Sequence, residues 1–168
     1  MAISDPAAPP RLSFSTTLLF PNRQLLDFRA TELTLEAFQA TGEVASKIVG
    51  LLPHTPISAI GINFRFLEEI NAEKVASVFQ FNDAAKIPHN KYPLDVSTIT
   101  RSFLMPDGDS LNLSLTLQGE RAQADFNFHT ETMDVPTIQK KISKENLALR
   151  FEEARNFMQT TYDLTLEE

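Results

Sequence analysis

Between Ser97 and Glu131 apolar and polar residues alternate with a period of two. The run Leu111-Asn112-Leu113-Ser114-Leu115-Thr116-Leu117 does so without a slip, as does Ala122-Gln123-Ala124-Asp125-Phe126-Asn127-Phe128-His129, the pattern of half-buried strands. Gly119-Glu120 between them suits a glycine-first, two-residue turn of type II′. That turn predicts Leu117 opposite Ala122, Leu115 opposite Ala124, Leu113 opposite Phe126 and Leu111 opposite Phe128. The other face then carries Thr116 with Gln123, Ser114 with Asp125 and Asn112 with Asn127. Local pattern and turn chemistry point to one register.

Pro106-Asp107-Gly108-Asp109 marks the preceding turn. An even loop would set Thr98, Thr100 and Ser102 on the leucine face, whereas an odd one sets Ile99, Phe103 and Met105 there, so an odd loop is expected. Arg101 then points to the apolar side between Ile99 and Phe103. Either its stem lies along the sheet with the head reaching water at an edge, or its guanidinium holds a carboxylate of a ligand or partner.

Earlier in the chain, Arg11 to Phe20 alternates as one strand ended by Pro21-Asn22, Gln24 to Ala30 offers Leu26 and Phe28 as a second, and Glu32 to Gln39 offers Leu33, Leu35 and Ala37 as a third. Thr41-Gly42-Glu43 opens a helical stretch to Leu52, with Val44, Ile48 and Leu51 at helical spacing, stopped by Pro53-His54-Thr55-Pro56. Ile57 to Leu67 is the most apolar run. Ile60, Ile62, Phe64 and Phe66 form its core face, and Ala59, Gly61, Asn63, Arg65 and Leu67 a smaller second face. A strand apolar on parts of both faces is expected to be central in its sheet or covered on its second side. The second face is therefore a candidate contact surface, with Gly61 mid-strand where a close approach is needed to justify it.

Glu68 to Phe81 reads as a short helix capped by Asn71, with Val75, Val78 and Phe79 inward, and 82–95 as the longest irregular segment. Asp134 is a fair N-cap with Pro136 in the first turn. Leu147, Phe151, Ala154 and Met158 mark an apolar helical stripe with which Ile138 and Ile142 are out of phase, so a break near Ser143 or a helix touching two neighbours is expected. Three strands then a helix occur on each side of the middle segment, without matching sequence.

Composition narrows the function more than it defines it. With 168 residues, 42% hydrophobic and 22% charged, the expectation is a disordered arm over Met1 to Pro10 and a single domain over 11–168. No stretch approaches a membrane span and the start lacks a signal-peptide pattern, so no membrane role and a cytoplasmic location are expected. The absence of cysteine excludes disulfides and thiolate metal sites. A net charge of −7 argues against nucleic acid. Thirteen Phe against two Tyr and no Trp put the aromatics in the core, since only Tyr and Trp carry a polar handle for wet interfaces.

Motifs for nucleophilic, phosphate-binding or metal chemistry do not occur. His54, His89 and His129 lack the mutual spacing of zinc ligands on one element. His129 shares a face with Asp125 and Asn127, either a polar row on a solvated sheet face or a catalytic group completed from other strands. Glu68-Glu69 points to opposite faces, and Lys140, Lys141 and Lys144 are offset by Glu145, Glu152 and Glu153.

The expected fold is α+β, a largely antiparallel sheet of six or seven strands with two or three helices on one face as a two-layer sandwich. The expected role is a non-enzymatic protein-interaction or assembly module without cofactor, self-associating through a sheet edge or through the second face of Ile57 to Leu67. Its candidate contact residues are Gly61, Asn63, Arg65, Arg101, Asp125, Asn127 and His129. The alternative is a binder of small hydrophobic ligands, with a cavity under residues 147 to 158 lined by Phe103, Phe126, Phe128 and Phe151.

Overall fold

The structure, a computed structural model, describes residues 10–69, 78–79, 86–88, 91–119 and 121–162. In chain order the strands are β1 (Leu12–Phe14), β2 (Thr17–Pro21), β3 (Leu26–Ala30), β4 (Ala59–Glu69), β5 (Val96–Leu104), β6 (Ser110–Gln118) and β7 (Arg121–Glu131). The helices are α1 (Leu35–Gly50), α2 (Val135–Lys141) and α3 (Lys144–Tyr162). The fold is α+β with two antiparallel sheets, ordered β1-β2-β3 and β4-β7-β6-β5. This corrects the expected single sheet of six or seven strands. The described residues fall in two compact units, one within 1–58 and 132–149, the other within 59–131 and 150–168.

In the first unit two readings of the pattern change. Arg11 to Phe20 is a hairpin, not one strand: Phe14 pairs with Thr17 around Ser15-Thr16, and Ser15 takes a left-handed φ of 49°. No glycine advertises this turn, and the apolar alternation runs straight through it. The run Glu32 to Gln39 is the start of α1. Thr34 caps it by accepting from the Ala37 N–H at 3.2 Å, Glu36 favours the positive helix end, and Ala37, Phe38, Thr41, Gly42, Ala45 and Val49 form one buried stripe. Leu33 and Leu35, which made the run look like a strand, are exposed. With that strand gone, the first sheet is a short local meander. Thr17 is fully buried, and its hydroxyl lies 3.0 Å from that of Thr41 on α1. At Gly42 an added Cβ would stand 2.9 Å from the Ile142 carbonyl and the Lys144 nitrogen, so glycine lets the two backbones meet. Asp134 caps α2 as expected, with Pro136 in the first turn. The helical region breaks at Ile142 and Ser143, and the Ser143 hydroxyl accepts from the Asn146 N–H at 3.3 Å.

The second unit follows the predicted pairing residue for residue: Leu111 with Phe128, Leu113 with Phe126, Leu115 with Ala124 and Leu117 with Ala122. Gly119 turns the chain at φ 58°. The β5–β6 loop is odd, so Ile99 meets Leu115, Arg101 meets Leu113 and Phe103 meets Leu111. It closes through Gly108 N–H to the Met105 carbonyl at 3.0 Å and Met105 N–H to the Asp109 carbonyl at 2.8 Å, with Gly108 at φ 84°, a three-residue turn with a bulge.

β4, expected to be central in its sheet or covered on its second side, pairs with β7 from Ala59↔Glu131 to Glu69↔Arg121 and is not central but forms one edge of the sheet. Its inner face alternates as predicted. Residues 150–162 of α3 cover that face. Phe151 lies 5.6 Å from Phe64 and 6.1 Å from Phe66 between ring centres, and Phe157 lies 5.9 Å from both Phe126 and Phe103. Phe126 and Leu113 are each 1% exposed, and burying such a side chain contributes about 1.5–3 kcal/mol.

Of the expected arm over Met1 to Pro10, residues 1–9 lie outside the described residues; of the expected helix over Glu68 to Phe81, residues 70–77 and 80–81, with Asn71 and Val75, lie outside them too, and Val78-Phe79 is a turn. Glu68 and Glu69 belong to β4.

Candidate functional site

Six of the seven candidate residues come together on the outer face of the four-stranded sheet. Antiparallel pairing sets Gly61 opposite His129, Asn63 opposite Asn127 and Arg65 opposite Asp125. Around them runs a hydrogen-bonded row that crosses all four strands. Ser102 Oγ donates to Asn112 Oδ1 at 2.8 Å, Asn112 Nδ2 to Asn127 Oδ1 at 3.0 Å, and Asn127 Nδ2 to Asn63 Oδ1 at 2.8 Å. Asn112 and Asn127 each accept through the amide oxygen and donate through the amide nitrogen, and Asn63 ends the row as an acceptor.

This row also explains Gly61. A Cβ there would stand 2.9 Å from Asn127 Nδ2, in the space that the Asn127 to Asn63 bond uses. The close approach is made by a side chain of the same sheet.

One row along, Arg65 Nε donates to Asp125 Oδ1 at 2.6 Å and Gln123 Nε2 to Asp125 Oδ2 at 2.5 Å. Thr98 and Thr116 join their hydroxyls at 3.1 Å. His129 Nε2 is 4.0 Å from Glu131 Oε1. Asp125 and Asn127 thus meet side chains of neighbouring strands, whereas His129 approaches Glu131 of its own strand and lies opposite Gly61. Among the described residues no cluster of three or more His, Asp or Glu side chains is placed to hold a metal ion.

Arg101 stands apart on the inner side. Its Nη1 donates to the Tyr162 hydroxyl at 3.0 Å, and the contact is exposed, so its stem follows the sheet and its head reaches the rim.

The buried guanidinium is instead Arg150, 5% exposed. Nη2 donates to Asp107 at 2.5 Å and Asp109 at 2.8 Å, and Nη1 to Glu153 at 2.8 Å. The group lies 5.1 Å above the Phe128 ring. Burial works against its charge, but the hydrogen bonds to Glu153 and Asp107 together with the attraction of their negative charges hold its pKa above the ordinary value. Thr130 Oγ1 donates to the second oxygen of Asp109 at 2.7 Å. Arg150 thereby fastens the β5–β6 turn to the helix. Its place in sequence, one residue before Phe151 and four before Ala154, put it beside the apolar stripe, but nothing local paired it with a turn some forty residues away.

The remaining feature is a backbone surface. In the β5–β6 ladder Met105 turns both its N–H and its C=O toward the loop. Since antiparallel strands alternate, Phe103, Arg101, Ile99 and Ser97 face β6. The main-chain groups of Val96, Thr98, Thr100, Ser102 and Leu104 therefore point away from the sheet, where β5 is an edge. Leu104 is 83% exposed and Val96 43%. No family model, curated protein or solved structure matches this chain.

Proposed function

We propose that this protein is a non-enzymatic assembly module that self-associates through the edge strand β5. The observation that carries this reading is the contrast between β5 and the other edges. β5 runs nine residues in unbroken register, without proline, glycine or lysine, and with Arg101 as its one charged residue. Long, flat, uncharged edges are templates for another strand, and proteins that stay apart blunt them with charge, bulges or brevity. The other edges among the described residues are blunted: β1 has three residues, β3 carries the exposed Arg29–Asp27 pair at 2.6 Å, and β4 carries three charged residues, Arg65, Glu68 and Glu69, against the one of β5.

The polar outer face belongs to the same reading. Its amides and carboxylate bond within the sheet, so the face holds the strands in register up to the open edge. A ligand cavity under α3 has less support, because Phe66, Phe126, Phe151 and Phe157 lie ring against ring.

Sedimentation of the purified chain tests the proposal. The wild type is expected to sediment as a dimer and Thr100→Lys as a monomer with an unchanged far-ultraviolet circular dichroism spectrum. Lysine on an open edge is a common natural guard. A wild type that stays monomeric at its highest soluble concentration would overturn the proposal.

A further inference from the structure

We infer that two copies join β5 to β5 antiparallel about a twofold axis at Thr100, so that the two four-stranded sheets become one of eight strands. This rests on the reading of β5 as the docking edge and fixes its occupant and register.

The occupant follows from matching the strand with itself. Thr100 is the midpoint of Val96–Leu104, so a twofold there is the arrangement in which all nine residues overlap. Thr100 then faces Thr100 of the second copy, Thr98 faces Ser102, and Val96 faces Leu104. The residues paired across the axis are those whose N–H and C=O point outward, so every outward main-chain group in the overlap meets a partner. The exposed Val96 and Leu104 side chains cover each other on the outer face, once on each side of the axis. The inner face agrees: Arg101 lies opposite Ile99 of the second copy rather than opposite Arg101, so no like charges meet. A twofold at Ser102 or Thr98 shortens the overlap and leaves Val96 or Leu104 without its apolar partner. The hydroxyl and amide row continues across the junction, since Ser102, bonded to Asn112, would adjoin Thr98 of the second copy, bonded to Thr116.

The chain has no cysteine, so single cysteines report the register directly. Across the axis the Cα atoms of position 100 would be about 5.5 Å apart, within disulfide reach. For position 98 or 102 the two equivalent atoms are offset by four residues, about 13 Å, beyond it. Mild oxidation of Thr100→Cys is expected to give a covalent dimer. Thr98→Cys or Ser102→Cys alone should give none, but the two mixed should link to each other. A dimer by sedimentation that links through Thr98→Cys or Ser102→Cys alone, or through none of these combinations, overturns the twofold while leaving self-association standing. A monomeric wild type that links in no combination overturns both.

Discussion

At the scale of single residues, Arg150 joins the second unit's terminal helix to the β5–β6 turn. It is buried, and so is Asp109 at 4% exposure, so removing the guanidinium takes a charged partner from a buried carboxylate. Arg150→Met is expected to lower the unfolding free energy by about 3–5 kcal/mol, read from the urea midpoint. Adding Asp109→Asn should recover part of that loss, because a buried negative charge that had faced the guanidinium is gone. Arg150→Lys should remain well below the wild type, since a single ammonium cannot fork to two aspartates as guanidinium does.

Asp134 offers a pH-dependent counterpart. Its hydrogen bonds from the Thr137 hydroxyl and then the Thr137 N–H hold its pKa below the ordinary carboxylate value. A depressed folded pKa means that the stabilisation is complete above the unfolded value and is lost as pH falls through the depressed one. Asp134→Asn keeps a capping oxygen without the ionisation. Its thermal midpoint should therefore fall less steeply on acidification than that of the wild type, and an identical acid limb would refute the cap's contribution.

At the scale of elements, legibility depended on whether the determining contact was local. The β6–β7 hairpin was readable because Gly119 and two clean alternations fix its register within about twenty residues. The odd β5–β6 loop was readable because only that parity puts Ile99 and Phe103 with the leucines. The cap at Asp134 and the break near Ser143 were readable from their own residues too. The hairpin at Ser15-Thr16 was not, since neither residue marks a turn with φ above zero. Nor was the start of α1, where Leu33, Leu35 and Ala37 imitate a strand while Thr34 sits at the helix cap.

Gly42 is the sharpest case. In sequence it reads as a helix opening, and in the structure it is a mid-helix close approach to the backbone at Ile142 and Lys144. An exposed helical Gly→Ala gains roughly 1 kcal/mol. Gly42→Ala is instead expected to destabilise by about 1–3 kcal/mol, as overpacking does, and a raised melting temperature would contradict the contact.

At the scale of the whole molecule, the seven strands divide three and four because α1 takes residues that would have extended the first sheet, while β4 finds its partner in β7, some sixty residues on. No local pattern specifies that pairing. The candidate residues on β4 and β7 were legible as polar positions on alternating strands, but their assembly into one row required the pairing. So did the identification of β5 as the far edge, and with it the proposal of Thr98, Thr100 and Ser102 rather than Arg101 as docking positions.

Amide hydrogen exchange along β5, followed as protein concentration rises, tests the edge assignment most directly. Docking predicts that the amides of Thr98, Thr100 and Ser102 pass from fast to slow exchange with concentration, while those of Ile99, Arg101 and Phe103, already bonded to β6, stay slow throughout. If Thr98, Thr100 and Ser102 exchange equally fast at every concentration, β5 is not a docking edge for a second copy.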